Sequence, residues 1–106
     1  MNNRYPAEDL RTFAFNLLNK KGMQTDIAQT VANVLLEGDL LGHTTHGLQL
    51  LKPYLRELDE GNITPAGKPD VLQDHGMSVL WDGCYLPGPW LVNRAIDTGL
   101  ERLQTY

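Results

Sequence analysis

Cysteine is nearly missing from this 106-residue chain. Cys84 stands alone, so no disulfide can close within it, which suits a reducing compartment such as the cytosol. Positive charge is also short: nine Lys and Arg face thirteen Asp and Glu, for a net charge of −4. That excludes the basic footprint of a nucleic-acid binder or of a protein drawn to an anionic membrane surface. No apolar run approaches the ~20 residues needed to cross a bilayer. The start, Met1 to Pro6, lacks the apolar centre of a signal peptide and is expected to be frayed. There is no repeat, low-complexity segment or internal linker. No Gly-x-Gly-x-x-Gly is present, so the ordinary Rossmann fingerprint is missing. Gly83 to Gly88 has phosphate-loop spacing without the Lys-Ser/Thr that should follow it. The three histidines, His43, His46 and His75, have no cysteine or carboxylate placed to complete a structural zinc set, so no metal is expected. What remains is ordinary for a globular protein, with 42% hydrophobic and 21% charged residues, and is long enough for one domain with a modest core.

The apolar spacing predicts an α+β fold of about four helices and a short β-hairpin. From Ala7 to Lys21, Leu10, Phe13, Ala14, Leu17 and Leu18 follow helical spacing, with Glu8 and Asp9 at the start, Lys20 and Lys21 at the end, and Gly22 as the stop. Thr25 is placed to cap a second helix. Its stripe is Ile27, Val31, Val34, Leu35 and Leu41, widened by Leu36 and Leu40, so this helix is expected to be central. Gly38 inside it costs roughly 1 kcal/mol relative to Ala and allows close packing. A third helix is expected from His46 or Gly47 to Glu60, ended by Gly61-Asn62. Pro53 within it demands a kink or a later start, because its ring clashes with the preceding turn and it has no N–H to donate. Asn62 to Pro69 reads as a loop. Val71-Leu72-Gln73 and Ser78 to Trp81 read as strands, with Asp74-His75-Gly76 as their turn. Pro89 suits the first position of a final helix capped by Gly88. Leu91, Ala95, Gly99 and Leu103 line one of its faces, with Val92, Ile96 and Leu100 beside them. Trp81 and Trp90 are expected in a core or an interface.

The densest chemistry lies in Gly42-His43-Thr44-Thr45-His46-Gly47, which packs two imidazoles, two hydroxyls and two glycines into six residues. Thr44 or Thr45 is placed to cap the third helix, which would put His46 in its first turn, beside the positive end of the dipole. His is the side chain best suited to exchange a proton near neutral pH. Gly-His-x-(Ser/Thr)-His-Gly followed by an apolar helix with Tyr54 resembles the amino-terminal part of the type 2 malate/L-lactate dehydrogenase family. The same resemblance runs through Asp26-Ile27-Ala28 to Asp39-Leu40-Leu41-Gly42, through Gly61-Asn62-Ile63-Thr64-Pro65, and through Leu80-Trp81-Asp82-Gly83 with Gly88. It covers nearly the whole chain.

The resemblance implies a non-Rossmann enzyme that moves hydride between NAD or NADP and a small 2-oxo or 2-hydroxy acid. It implies that His46 is the acid/base and lies against the cofactor. It further implies a cytoplasmic homodimer with composite sites. Members of that family are considerably longer, so residues 1–106 are expected to be a single amino-terminal domain or a fragment. Most of the cofactor's contacts would then lie in sequence beyond Tyr106, and the fragment alone would be inactive. Thr45 stands where many relatives carry Ser; its hydroxyl serves either as a helix cap or to orient His46 or touch substrate. His43 is expected to be a turn residue or a support behind His46. Leu50 stands where many relatives carry a carboxylate-clamping Arg. With Tyr54, it is expected to line the substrate pocket on the face of His46, and it leaves the acid unspecified. Two other readings stay open: a non-catalytic helical interaction module, and a degenerate, inactive member of the family.

Overall fold

The computed structural model describes residues Arg4 to Tyr106. The fraying expected of Met1 to Asn3 lies outside the described residues. Pro6 is not frayed: its carbonyl accepts the Leu10 N–H at 3.2 Å and closes the first helical turn.

Four α-helices and a two-stranded antiparallel hairpin follow in order. They are α1 (Ala7–Lys20), α2 (Thr25–Leu40), α3 (Leu51–Asp59), β1 (Asp70–Asp74), β2 (Val79–Asp82) and α4 (Gly88–Thr105). Two short 3₁₀ turns, Thr44–His46 and Leu48–Leu50, connect α2 to α3. Glycines with positive φ stop two of the helices as expected, Gly22 after α1 and Gly61 after α3.

Helix starts depart from expectation. No side chain caps any of the four α-helices. Thr25 is the first helical residue, and Gln24 holds the cap position in extended backbone, its carbonyl accepting from Ala28 at 2.8 Å. At α4 the cap is Pro87, with Gly88 already helical. The third helix begins at Leu51, later than either His46 or Gly47, the later start that Pro53 demanded. Pro53 is its third residue, where a helical N–H has no intrahelical partner to lose.

The core lies around α2. Ala14 and Leu18 from α1 meet Ile27, Ala28, Val31, Ala32 and Leu35 from α2, with Leu51, Leu86 and Trp90 closing the cluster. The second helix is therefore central, and Trp90 is a core residue. Stripe ends stay out of the core: Leu40 and Leu41 are exposed, as is Phe13 of α1, whose place beside the core is taken by Phe15. Helical spacing marks a face but not where the neighbouring element ends.

In the hairpin, Val71 pairs with Trp81, Gln73 with Leu80 and Asp74 with Val79, with a bulge at Leu72. The turn covers His75 to Ser78, starting one residue and ending two residues later than the expected Asp74-His75-Gly76. Asp74 Oδ1 accepts the Gly76 N–H at 3.0 Å, and His75 N–H donates to the Ser78 carbonyl at 2.8 Å. The hairpin is tied to α4 by Arg102, which forks onto both Asp74 oxygens at 2.7 Å and reaches the Gly76 carbonyl at 2.8 Å.

Candidate active site

Everything around the His-Gly segment follows from how α2 ends. Gly42 takes φ +84, which turns the chain back along the helix. The His43 N–H then donates to the Gly38 carbonyl at 2.8 Å. Gly38 has to be glycine for space rather than for dihedral freedom: a Cβ there would lie 2.6 Å from the carbonyl oxygen of His46. Gly47 is buried, and a Cβ on it would overlap the Asp39 carboxylate. Asp39 Oδ2 accepts the Leu48 N–H at 2.8 Å, which satisfies one of the amides at the start of the second 3₁₀ turn.

His46 ends the first 3₁₀ turn and is exposed. Its Nδ1 lies 3.0 Å from Thr45 Oγ1. Nε2 has no partner among the described residues. His43 stands before the same turn, and no side-chain cap bond forms from Thr44 or Thr45. The helical start expected there is replaced by an isolated 3₁₀ turn and an extended Gly47 (φ −99, ψ −152). His46 is therefore not in the first turn of an α-helix, and the macrodipole argument for it falls away.

The same break separates the expected site residues. His43 and His46 rim a hollow of about 420 Å³ walled by Val34, Glu37, Gly38 and Leu41. Leu50 and Tyr54 line another, of about 290 Å³, with Pro53, Glu57, Ile63, Leu86, Pro87 and Gly88. No continuous helix carries His46 and Leu50 on one face, because Gly47 interrupts it. Leu50 and Tyr54 do share a wall, and both pack on the core. Burial pushes the Tyr54 phenol up from its ordinary value. No cation lines either hollow. Among the described residues, no three His, Cys, Asp or Glu side chains come close enough to hold a metal ion, and no helix is long and apolar enough to cross a membrane.

Sequence reasoning missed Asp39. A signal was available: a carboxylate in the last turn of a helix sits at the negative end of the dipole, and α2 has no basic residue there. Such a residue needs a partner beyond its own helix, and the Leu48 amide is that partner.

The segment is a mainly helical unit with one hairpin and an imidazole-bearing loop folded back on its central helix. The chain belongs to the malate/L-lactate dehydrogenase family, whose model matches residues 5–106. It is 29% identical to an L-lactate dehydrogenase of Cupriavidus necator over 96 residues, which is 91% of this chain and 28% of that protein. Its fold superposes on a malate dehydrogenase from Pyrococcus horikoshii OT3 with a TM-score of 0.93 at 27% identity, covering 97% of this chain and 30% of the other. It superposes on a malate dehydrogenase from Entamoeba histolytica with a TM-score of 0.94 at 24% identity, covering all of this chain and 30% of the other. The chain thus spans less than a third of the length of these relatives.

Proposed function

We propose that the chain is the amino-terminal part of a nicotinamide-dependent oxidoreductase acting on a small 2-oxo or 2-hydroxy acid, with His46 as its acid/base. The observation that carries this reading is the His46 ring: exposed on a hollow, held at Nδ1 by Thr45, with Nε2 left for a ligand. Family membership supports the reaction class.

Reduction of a 2-oxo acid adds hydride to the carbonyl carbon and a proton to its oxygen. A bound nicotinamide would supply the hydride. His46 would give its proton to the carbonyl oxygen, and would take it back in the oxidative direction. Thr45 would hold the ring in the tautomer that this needs. Val34 and Leu41 give the hollow an apolar wall that fits a nicotinamide ring. Glu37 and the lack of a Lys or Arg do not fit a diphosphate, which would be held by the longer polypeptide's remaining sequence. Leu50 and Tyr54, which wall a separate hollow, would border the substrate only on the side away from His46, with the carboxylate clamp also supplied from beyond residues 1–106. The exposed stripe of α4 would be covered in the complete enzyme, as a cytoplasmic homodimer with composite sites.

The test is NADH and NADPH oxidation with a panel of 2-oxo acids. It is run on this chain and on the polypeptide read to its natural end, each with His46→Ala. Turnover in the longer form that falls by about 10²- to 10⁴-fold in the variant is the expected result. Turnover unchanged by His46→Ala would remove His46 from the chemistry. No turnover in either form would sink the dehydrogenase reading.

A further inference from the structure

We propose that Asp39 positions His46, a role that rests on the reading of His46 as the acid/base. The segment is pinned on both sides of the imidazole by two consecutive residues of α2. Before it, the His43 N–H donates to the Gly38 carbonyl at 2.8 Å. After it, the Leu48 N–H donates to Asp39 Oδ2 at 2.8 Å, and buried Gly47 lies flat against the same carboxylate.

Asp39 has no cationic partner among the described residues. It stands in the last turn of a helix, where a negative charge is disfavoured. The Leu48 amide, 2.8 Å from Oδ2, is the donor that meets it there.

The consequence is geometric. The Asp39 contact holds Gly47 extended, between two 3₁₀ turns. With that contact removed, Gly47 is free to leave its extended conformation, although Pro53 still bars a continuous helix from Thr44 into α3. His46 would then lose its fixed place on the hollow it now rims. Asp39 thus keeps the imidazole on the hollow it rims, and Gly47 supplies the space that lets it do so.

The experiment is ¹⁵N NMR on this chain, comparing wild type with Asp39→Asn, Asp39→Ala and Gly47→Ala. Two quantities are read: hydrogen exchange at the Leu48 amide and the His46 ring nitrogen shifts, with His43 and His75 as internal references. Asp39→Asn keeps an acceptor and is expected to leave both near wild type. Asp39→Ala is expected to speed Leu48 exchange by about tenfold, the loss of one hydrogen bond, and to move the His46 Nδ1 signal as its bond to Thr45 breaks. Rescue by Asn separates positioning from a general loss of structure. Should Asp39→Ala fail to fold, as circular dichroism would reveal, Gly47→Ala carries the test. It keeps the carboxylate, removes the space, and must shift His46 while His75 stays put. Unchanged Leu48 exchange and an unchanged His46 ring in folded Asp39→Ala or Gly47→Ala would overturn the proposal. A wild-type chain without turnover bears on the acid/base reading alone and leaves this result standing.

Discussion

Helices α2 and α4 carry equally regular apolar stripes and end in opposite surroundings. α2 buries six side chains, among them Ile27, Val31, Leu35 and Leu36, whereas α4 buries only Trp90. Leu103, on the stripe of α4, is 66% exposed, and Val92, Ile96 and Leu100 are also mostly in the open. Between α4 and the hairpin lies a hollow of about 570 Å³. The radius of gyration is 15.5 Å, against the ~13 Å of a closed domain this size. Periodicity therefore reports that a face is built to be covered, and α2 finds its cover in α1, α4 and the His-Gly segment. The matching cover for α4 is not among the described residues.

The sharpest way to break this contrast is a pair of truncations. Leu18→Ala removes a fully buried side chain from the α1–α2 contact and is expected to cost about 2–5 kcal/mol. Leu103→Ala should stay within about 0.5 kcal/mol. Urea unfolding of both variants measures the difference; equal costs would mean that α4 is covered in solution.

Gly38→Ala sharpens the same comparison at the His-Gly loop. In an exposed helix this change would stabilise by roughly 1 kcal/mol. Here the new Cβ meets the backbone oxygen of His46, so a net destabilisation of about 1–3 kcal/mol is expected in thermal unfolding. Gly99→Ala in α4 has open space around it and should move the melting temperature upward instead.

The hairpin's hold on α4 depends on pH. The Arg102 guanidinium keeps the Asp74 carboxyl well below its ordinary 3.8. The unfolded chain then binds the proton more readily than the folded one, so this stability is fully present above about pH 4. It is lost as the pH falls further. Exchange at the β1 and β2 amides should rise on acidification before that of the α2 amides, and Asp74→Asn should abolish the difference. The smallest effect is expected at Arg94, whose guanidinium lies 5.8 Å from the centre of the Trp90 ring. Arg94→Ala should cost about 0.5–1 kcal/mol by the same unfolding measurement.

Much of the fold was legible because it rests on local rules. Leu10 to Leu18 and Ile27 to Leu36 mark helices by spacing alone, and the two outer glycines, Gly22 and Gly61, stop helices as glycines do. The caps were illegible because Thr25, Thr44 and Thr45 look like caps whether or not a backbone amide turns toward them. At those starts the extended backbone of Gln24 and the 3₁₀ turn following His43 decided otherwise. Part of the candidate site was legible too: His46 with its Thr45 neighbour, and Leu50 with Tyr54 as one wall. Their separation into two hollows was not, since residue spacing across Gly47 assumes a helix that is not there.

By itself, the sequence determined the four helices, the hairpin, the central place of α2 and the family to which the chain belongs, because periodic burial and a short ordered motif survive without coordinates. Only the tertiary structure decided where His46 faces. That depends on Asp39 and Gly38 of α2 meeting Leu48 and His46 across a turn, with space for no side chain at Gly38 or Gly47. Contacts between residues distant along the chain, and the volume they exclude, follow from how the helices pack.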